Sequence, residues 1–193
     1  MNAPVRPDPH ARNPALPPGP RPEEKHLLTT SRFTVHEVEY TTGDGHTVRK
    51  QVIRHPGSVV ILPMWDDDRV CLIRNYRPAA GRQLIELPAG TLEPGEEHDA
   101  TAARELTEET GLTASHWRTL SAFYAAPGIL DEHMHLYLAT GLTEGAPHRE
   151  TGEEIENLIV PFAQALEWVR SGEICDAKTI IGLLYYDCFR KTW

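Results

Sequence analysis

The stretch from Gly90 to Leu112, GTLEPGEEHDATAARELTEETGL, constrains the fold more than any other part of the chain. It opens as a glycine-containing turn and continues with apolar residues at helical spacing, which predicts a short amphipathic helix. Glu105, Glu108 and Glu109 are three and four residues apart, so they share one helix face, where like charges repel. A divalent cation removes that penalty, because Mg²⁺ and Mn²⁺ prefer carboxylate oxygens and bridge proteins to phosphates.

Other residues of the stretch favour an organised cation-binding site over a solvated acidic helix. Arg104 precedes Glu108 by four residues and can hold one carboxylate in place. Asp99 is predicted to cap the start of the helix, and Gly111 to end it in the left-handed conformation. A solvated acidic helix is the alternative, but it does not explain two glycines and an arginine at fixed offsets as well.

Composition and length exclude several classes of protein. A chain of 193 residues suits one domain, or a domain with a small appendage. The net charge of -9 disfavours nonspecific binding to nucleic acid or to an anionic membrane. Three cysteines without metal-ligand spacing indicate a reducing compartment. With neither a membrane-spanning run nor a signal-peptide segment, the sequence predicts a cytoplasmic protein.

The chain divides into three parts. Residues 1–25 contain eight of the sixteen prolines and are predicted to form a disordered tail. Residues 26–57 are predicted to form an N-terminal β-sheet domain, because two β-branched runs flank the turn at 42–45. Residues 58–193 are predicted to form the main domain, with strands first, one helix in the middle and helices at the end, an α+β order.

The main domain has several predicted elements. Ser58–Pro63 and 69–74 are read as a pair of strands joined by a solvated turn at 66–68. Four more strands are predicted at 83–87, 118–124, 133–139 and 158–160. Two further helices are predicted at 162–169 and 178–190.

The stretch from Gly90 resembles the Nudix box, in which glycine, glutamate, arginine and aliphatic positions are separated by fixed gaps. The corresponding residues are Gly90, Glu96, Arg104, Glu105, Leu106, Glu108, Glu109, Gly111 and Leu112, with no departure from the pattern. The resemblance implies a Nudix fold, in which a mixed β-sheet is sandwiched between helices, with a small N-terminal antiparallel sheet. It also implies hydrolysis of a nucleoside diphosphate linked to another group.

Residues outside the box resemble the ADP-ribose pyrophosphatases of this superfamily. Pro127 lies sixteen residues after Gly111, and the similarity extends over 72–77, 86–90 and 131–132. This resemblance implies that ADP-ribose is cleaved to AMP and ribose 5-phosphate. The alternatives are another nucleoside diphosphate derivative, such as a GDP-sugar, a dinucleotide or an oxidised nucleotide, or a domain that binds ADP-ribose without cleaving it.

The same resemblance implies a metal site. Two or three Mg²⁺ ions, or Mn²⁺ ions, are expected on Glu105 and Glu109, with Glu108 beside them and the Ala89 carbonyl as a further ligand. Glu96 either touches a metal or holds the loop against Arg104. The glycines Gly90 and Gly111 complete the structural part of the box.

Substrate contacts are expected from residues on both sides of the box. Arg77 is expected to bind the diphosphate, as its bidentate guanidinium suits phosphate. Phe33 is expected to offer an aromatic face and Glu132 to hydrogen-bond the terminal ribose. Arg49 and Lys50 match a basic pair that reaches the ligand of a partner subunit. Because the family has two arginines there, Lys50 weakens any stacking on adenine that needs a planar guanidinium.

The catalytic base is expected in the acidic loop at 150–156. Glu153 is the first choice and Glu154 the second, with Glu108 as a third catalytic candidate. One family pattern has glutamate at the place of Thr151, which cannot act as a base. The resemblance also implies a homodimer that exchanges its N-terminal sheets, since an isolated hairpin is marginally stable.

Overall fold

The computed structural model describes residues 22–149 and 154–192, which form ten strands, three α-helices and a terminal 3₁₀ turn. Residues 1–21, most of the segment predicted as a disordered tail, lie outside the described part of the chain. No helix in the described part is long and apolar enough to cross a membrane.

A small antiparallel sheet comes first in the chain. Its strands are β1 (Glu23–Thr29), β2 (Thr34–Thr41) and β3 (Thr47–Arg54), in the order β1-β2-β3. The hairpin predicted around 42–45 is confirmed, with Gly45 at a φ of 86° in its turn. Strand β1 begins inside the segment assigned to the tail. Every residue of β1 is exposed, so the strand shows no alternation of apolar and polar residues from which it could be predicted. Its backbone is held in place by antiparallel pairing with β2.

Two further sheets form the main domain. The first is mixed and has the order β7-β4-β9-β8, in which only the β4–β9 pair is parallel. Its strands are β4 (Ser58–Pro63), β7 (Ala89–Thr91), β8 (Leu112–Tyr124) and β9 (His133–Glu144). The second is antiparallel, has the order β10-β5-β6, and contains β5 (Arg69–Arg77), β6 (Arg82–Glu86) and β10 (Ile155–Pro161).

The predicted pairing of the first two strands of the main domain is wrong. Both strands exist, but β4 and β5 belong to different sheets, and an isolated bridge joins Met64, just after β4, to Val70 of β5. Every residue of β4 is buried, which is typical of a strand covered on both faces and paired with distant partners. The acidic segment between them is a turn, as predicted, where Asp66 accepts the backbone N–H of Arg69 at 2.8 Å.

The helices cover the mixed sheet on both faces. They are α1 (His98–Thr110), α2 (Phe162–Ser171) and α3 (Ala177–Phe189), followed by a 3₁₀ turn at Arg190–Thr192. Val59 and Ile61 of β4 pack with Leu106 of α1. The alternate residues, Val60 and Leu62, pack in the other cluster with Leu183 of α3. This confirms the predicted α+β fold, with a mixed sheet between helices.

The ends of α1 agree only in part with prediction. Gly111 ends the helix at a φ of 75°, as expected. A Cβ at Gly111 would also lie 2.5 Å from the carbonyl oxygen of Gly145, so close packing reinforces the choice of glycine. The predicted N-cap, Asp99, is wrong because the helix starts earlier, after Glu97, whose side chain makes no capping bond. Asp99 lies in the first turn, where its charge still favours the helix dipole.

A cluster of histidines lies where α1 begins. The rings of His98 and His135 are 3.8 Å apart between centroids, and those of His133 and His135 are 4.7 Å apart. Burial, and after it the neighbouring His98 and His133, together lower the pKa of His135 to about 4. Burial also lowers the pKa of His133, followed by the influence of His98.

We expect this cluster to make the fold sensitive to acid. The unfolded chain binds a proton at His135 near the ordinary pKa of 6.5, whereas the folded chain binds it only near pH 4. The free energy of unfolding should therefore fall as the pH falls from about 6.5 to about 4. In urea titrations across this range, His135→Gln should flatten the dependence. The matched change His46→Gln, in the exposed hairpin turn, should leave it as in the wild type. Equal slopes in all three proteins would contradict the prediction.

Candidate active site

A cavity of about 780 Å³ lies against one side of α1. Its walls come from the turn between β1 and β2, from β7, from the carboxylate-bearing face of α1 and from the first turn of α3. Seven of the residues predicted for the site from sequence line it: Phe33, Arg77, Ala89, Glu105, Glu108, Glu109 and Glu132. The box residues Gly90 and Arg104 line it as well.

Gly90 leaves the space that the carboxylate of Glu105 occupies. A Cβ on Gly90 would lie 1.8 Å from the Cδ atom of Glu105 and 1.9 Å from its Oε1 atom. Only glycine allows the backbone of β7 to approach this carboxylate so closely. The glycine predicted from the box pattern therefore has a steric role here, since it admits an acidic side chain to the cavity wall.

Arg104 is the common partner of three carboxylates. Its guanidinium donates two hydrogen bonds to Glu96, at 3.0 and 2.9 Å, and single bonds to Glu105 at 2.8 Å and Glu108 at 2.9 Å. The bonds with Arg104 lower the pKa of Glu96 to about 2, although burial opposes the shift. Of the two roles considered for Glu96, this geometry favours holding the loop before α1 against Arg104.

Glu109 is the most buried carboxylate of the box, with 4% of its surface exposed. Its Oε2 atom accepts the backbone N–H of Ala89 at 3.0 Å. The bond fixes β7 beside α1, and the Ala89 carbonyl belongs to the same short strand. Charged groups are rarely buried to this degree unless they are paired or bind a metal.

Glu105, Glu108 and Glu109 of α1, together with the Ala89 carbonyl, form one wall of the cavity, called the acidic wall below. This wall suits a hard divalent cation. Its residues offer carboxylate oxygens and a backbone carbonyl, the donors that Mg²⁺ and Mn²⁺ prefer, and Gly90 provides a cradle for one of the carboxylates. In the described residues, no three His, Cys, Asp or Glu side chains already converge as a ligand set. The hydrogen bonds from Arg104 to Glu105 and Glu108 show where these carboxylates are directed instead.

Arg77 lines the cavity from the end of β5, but it is bound to a buried carboxylate. Its Nε and Nη2 atoms donate to the two oxygens of Glu86, at 2.8 and 2.7 Å. Lys178 of α3 donates to the same carboxylate and, at 3.0 Å, to Asp176. Sequence reasoning missed Asp176 and Lys178. A signal was present, because Asp176 and Thr179 have the spacing of a helix N-cap and the structure shows that bond at 3.0 Å.

Glu132 and Phe33 line the cavity from segments far apart in the sequence. Glu132 accepts the hydroxyl of Ser58 at 2.8 Å, and its Oε1 atom lies 3.8 Å from Nδ1 of His55. Phe33 is half-buried in the turn after β1. Both residues therefore belong to the cavity that contains the acidic wall.

Three residues with predicted substrate roles lie outside the lining of the cavity. Arg49 and Lys50 are exposed on β3, and Arg49 pairs with Glu39 at 2.5 Å. Pro127 is exposed in the loop between β8 and β9. The structure thus does not bring these three residues to the cavity of their own chain.

The acidic loop is described only at its two ends. Glu153, the first choice as base, lies outside the described residues, and Glu154 is exposed and does not line the cavity. Before the loop, Arg149 donates to the carbonyl of Glu109 at 3.0 Å. After it, Asn157 donates to the carbonyl of Thr110 at 2.7 Å. Both ends are therefore tied to the C-terminal end of α1, the helix that bears the acidic wall.

A protein-family model described as NUDIX domain matches residues 54–179. The chain is 38% identical over 170 residues to the ADP-ribose pyrophosphatase of Bacillus subtilis, which covers 84% of this chain and 92% of that protein. It is 34% identical over 173 residues to a GDP-mannose pyrophosphatase of Escherichia coli, which covers 82% and 90%. A crystal structure of an ADP compounds hydrolase shares the fold, with a TM-score of 0.75, 23% identity and coverage of 89% of this chain and 95% of that one.

The fold and the cavity agree with these comparisons: an acidic helix packs on a mixed sheet, and the carboxylate of Glu105 lies beside Gly90 at the cavity wall. The chain belongs to the Nudix family, and it is a Nudix hydrolase. The resemblance found in the sequence between Gly90 and Leu112 is thereby confirmed.

We expect Gly90→Ala to reduce hydrolase activity by about 100-fold, because displacing a reactive group by about 1 Å has an effect of that size. The new methyl group must push the carboxylate of Glu105 out of its place, while the long side chain can move without unfolding the protein. The matched control is Gly43→Ala, since a Cβ at Gly43 meets nothing within 4 Å. Initial rates and thermal unfolding of both variants would test this; a fully active Gly90→Ala protein would contradict it.

Proposed function

We propose that this Nudix hydrolase cleaves the diphosphate of ADP-ribose, giving AMP and ribose 5-phosphate. The observation that carries the proposal is the single cavity in which the acidic wall of α1 faces Arg77, Phe33 and Glu132. Such a cavity combines oxygen ligands for a cation, a guanidinium for phosphate, an aromatic ring for a nucleobase and a carboxylate for a sugar hydroxyl. The identity of 38% to an ADP-ribose pyrophosphatase supports the choice of substrate.

The proposed cofactor is Mg²⁺ or Mn²⁺, with two or three ions per site. Glu105, Glu108, Glu109 and the Ala89 carbonyl are the residues that would hold them. When bound, such ions neutralise the diphosphate and lower the pKa of a coordinated water. Arg104 would then keep Glu96 as its remaining partner, because its two bonds to Glu96 do not depend on Glu105 or Glu108.

Each substrate contact is proposed from the position of its residue. Arg77 would bind the diphosphate, Phe33 would stack on the adenine, and Glu132 would accept a hydroxyl of the terminal ribose. Ser58 already orients Glu132, so this carboxylate is fixed before the sugar arrives. Pro127 would act indirectly, by shaping the loop that precedes Glu132.

Water supplies the oxygen that breaks the P–O–P bridge. One oxygen–phosphorus bond forms, the bridging bond breaks, and the two products keep one phosphate each. A loop glutamate would take the proton of the water, with Glu153 preferred, Glu154 second and Glu108 third. The bonds of Arg149 and Asn157 to the last turn of α1, on either side of this loop, support the choice of a loop glutamate.

A second candidate substrate is GDP-mannose. A relative that is 34% identical over 173 residues is a GDP-mannose pyrophosphatase. The acidic wall would contact only the metal ions and the phosphates, which both substrates share, so it does not distinguish between them. The difference between the two lies in the base and the sugar, and hence in the surroundings of Phe33 and Glu132.

A substrate panel tests the proposal. Purified protein would be incubated with ADP-ribose, GDP-mannose, NADH, a diadenosine polyphosphate and 8-oxo-dGTP, each with Mg²⁺ and with Mn²⁺, and the products separated by chromatography. We expect ADP-ribose to be cleaved fastest, to AMP and ribose 5-phosphate. Glu109→Gln, purified in parallel, should lose at least about 100-fold in rate while remaining folded, which also excludes a contaminating enzyme.

Other results of the panel would point elsewhere. Faster cleavage of GDP-mannose would replace ADP-ribose with the second candidate. Tight binding of ADP-ribose without turnover would indicate a sensor. Turnover that persists in Glu109→Gln would remove this carboxylate from the metal site.

We also propose a homodimer formed through the N-terminal sheet. Leu27 and Leu28 of β1 are 45% and 53% exposed, and Tyr40 of β2 is 37% exposed, so the sheet presents apolar surface to solvent. Arg49 and Lys50 lie on this sheet, away from the cavity of their own chain. In a dimer they would approach the ligand of the partner, which is the role their resemblance implies.

Sedimentation equilibrium tests this assembly. We expect the wild type to sediment as a dimer of about twice 21.6 kDa. Leu27→Glu combined with Leu28→Glu should shift it toward monomer, because charges on an apolar interface are costly to bury. The control is Ile159→Glu, a change at another exposed apolar residue, on β10. A wild type that is monomeric and fully active would refute the assembly.

The proposed location is the cytoplasm. Cys71, Cys175 and Cys188 are all free thiols, and the last two are exposed. Exposed free cysteines persist in a reducing compartment. Neither nucleic acid nor a membrane is proposed as a partner, because the net charge of -9 repels both.

A further inference from the structure

The first turn of α3 contacts the cavity through a buried charge cluster. The cluster contains Glu86 at the end of β6, Arg77 at the end of β5, and Asp176 and Lys178 at the start of α3. The side chain of Glu86 is 1% exposed, and that of Lys178 is 9% exposed. Arg77, Asp176 and Lys178 all line the cavity. The cluster is therefore buried on one side and faces the substrate space on the other.

The cluster is balanced in charge. It holds two carboxylates and two cations, and Lys178 is bonded to both carboxylates. Without Lys178, two carboxylates would oppose the single guanidinium of Arg77. An anion entering the cavity would then meet one more unit of negative charge, at a position shielded from water.

Arg77 depends on this arrangement for its position. Both oxygens of Glu86 bind the guanidinium, and one of them, Oε2, is shared with Lys178. The bonds with Glu86 come first among the causes that raise the pKa of Arg77. Loss of Lys178 would leave the full charge of Glu86 to Arg77, drawing its charge away from the cavity.

The same turn also holds the backbone that leads to the acidic wall. The hydroxyl of Thr179 accepts the N–H of Leu87 at 2.8 Å and donates to Asp176 at 2.6 Å. A Cβ on Gly182 would lie 2.5 Å from Cδ1 of Leu87, so the helix is in close contact with this segment. These contacts do not involve the ammonium group of Lys178. Changing that group alone should leave the segment in place.

We propose that Lys178 is a positioning residue for the diphosphate, which acts through Glu86 to keep Arg77 and the charge of the cavity suited to an anion. The inference rests on the proposed cleavage of a nucleoside diphosphate derivative and adds a residue from α3 to its machinery. It distinguishes two charged walls of the cavity: the acidic wall of α1 serves the cation, and the charge cluster that contains Arg77 serves the phosphates.

The test compares Lys178→Met, which keeps length and removes charge, with Lys178→Arg, which restores charge. On the substrate that the wild type hydrolyses fastest, Lys178→Met should raise KM by about ten- to hundredfold and leave kcat within about twofold. Binding of ADP, measured by calorimetry, should weaken by a similar factor. Binding of Mn²⁺ alone, measured by electron paramagnetic resonance, should be unchanged or tighter, because the added negative charge does not repel a cation.

The remaining proteins separate this role from a merely structural one. Lys178→Arg should recover most of the affinity for ADP, and Lys191→Met, at an exposed lysine beyond α3, should behave as the wild type. An unchanged KM and unchanged ADP binding in Lys178→Met would overturn the proposal. So would a parallel loss of ADP and Mn²⁺ binding that Lys178→Arg does not repair. The wild-type substrate panel tests the proposed function, whereas the ratio of variant to wild type tests this inference.

Discussion

The crowding of carboxylates around Arg104 is the interaction on which the rest of the structure depends. Three glutamates within hydrogen-bonding distance of one guanidinium would repel one another without it. The arginine offsets this repulsion in the folded state and leaves the carboxylates at the cavity. A bound cation would take over part of the same task. The site is thus assembled by its internal ion pairs, and its carboxylates stay at the cavity wall.

The central strand β4 connects this acidic cluster to the rest of the molecule. Because both of its faces are buried, one set of its side chains packs on α1 and the alternate set lies in the cluster with α3. The two helices are on opposite faces of one sheet, yet both reach the same cavity. The acidic wall comes from α1, and α3 completes the charge cluster that contains Arg77 and Glu86. The sheet between them thus sets the spacing between these two parts of the cavity wall.

Local signals in the sequence were enough for the box helix and the N-terminal hairpin, but they missed the strands β1 and β7. Gly90 was found from the box pattern and Gly111 from its place at the end of the helix, and the structure adds a close contact at each. The pairing of β4 was not predictable, since a strand buried on both faces does not show which partners cover it. Lys178 was missed for a related reason. Its partner Glu86 is ninety-two residues away, and an ion pair between distant segments leaves no periodic pattern.

The ends of the acidic loop have a consequence for how such a protein can change. Arg149 and Asn157 bond to each other at 3.1 Å and each bonds to the last turn of α1, so the chain enters and leaves the loop at one fixed place. Lengthening a loop whose ends are already joined costs only about 0.6 kcal/mol for each doubling. The chain at 150–153 can therefore change in length at a small cost in free energy while Arg149 and Asn157 keep its ends on the helix.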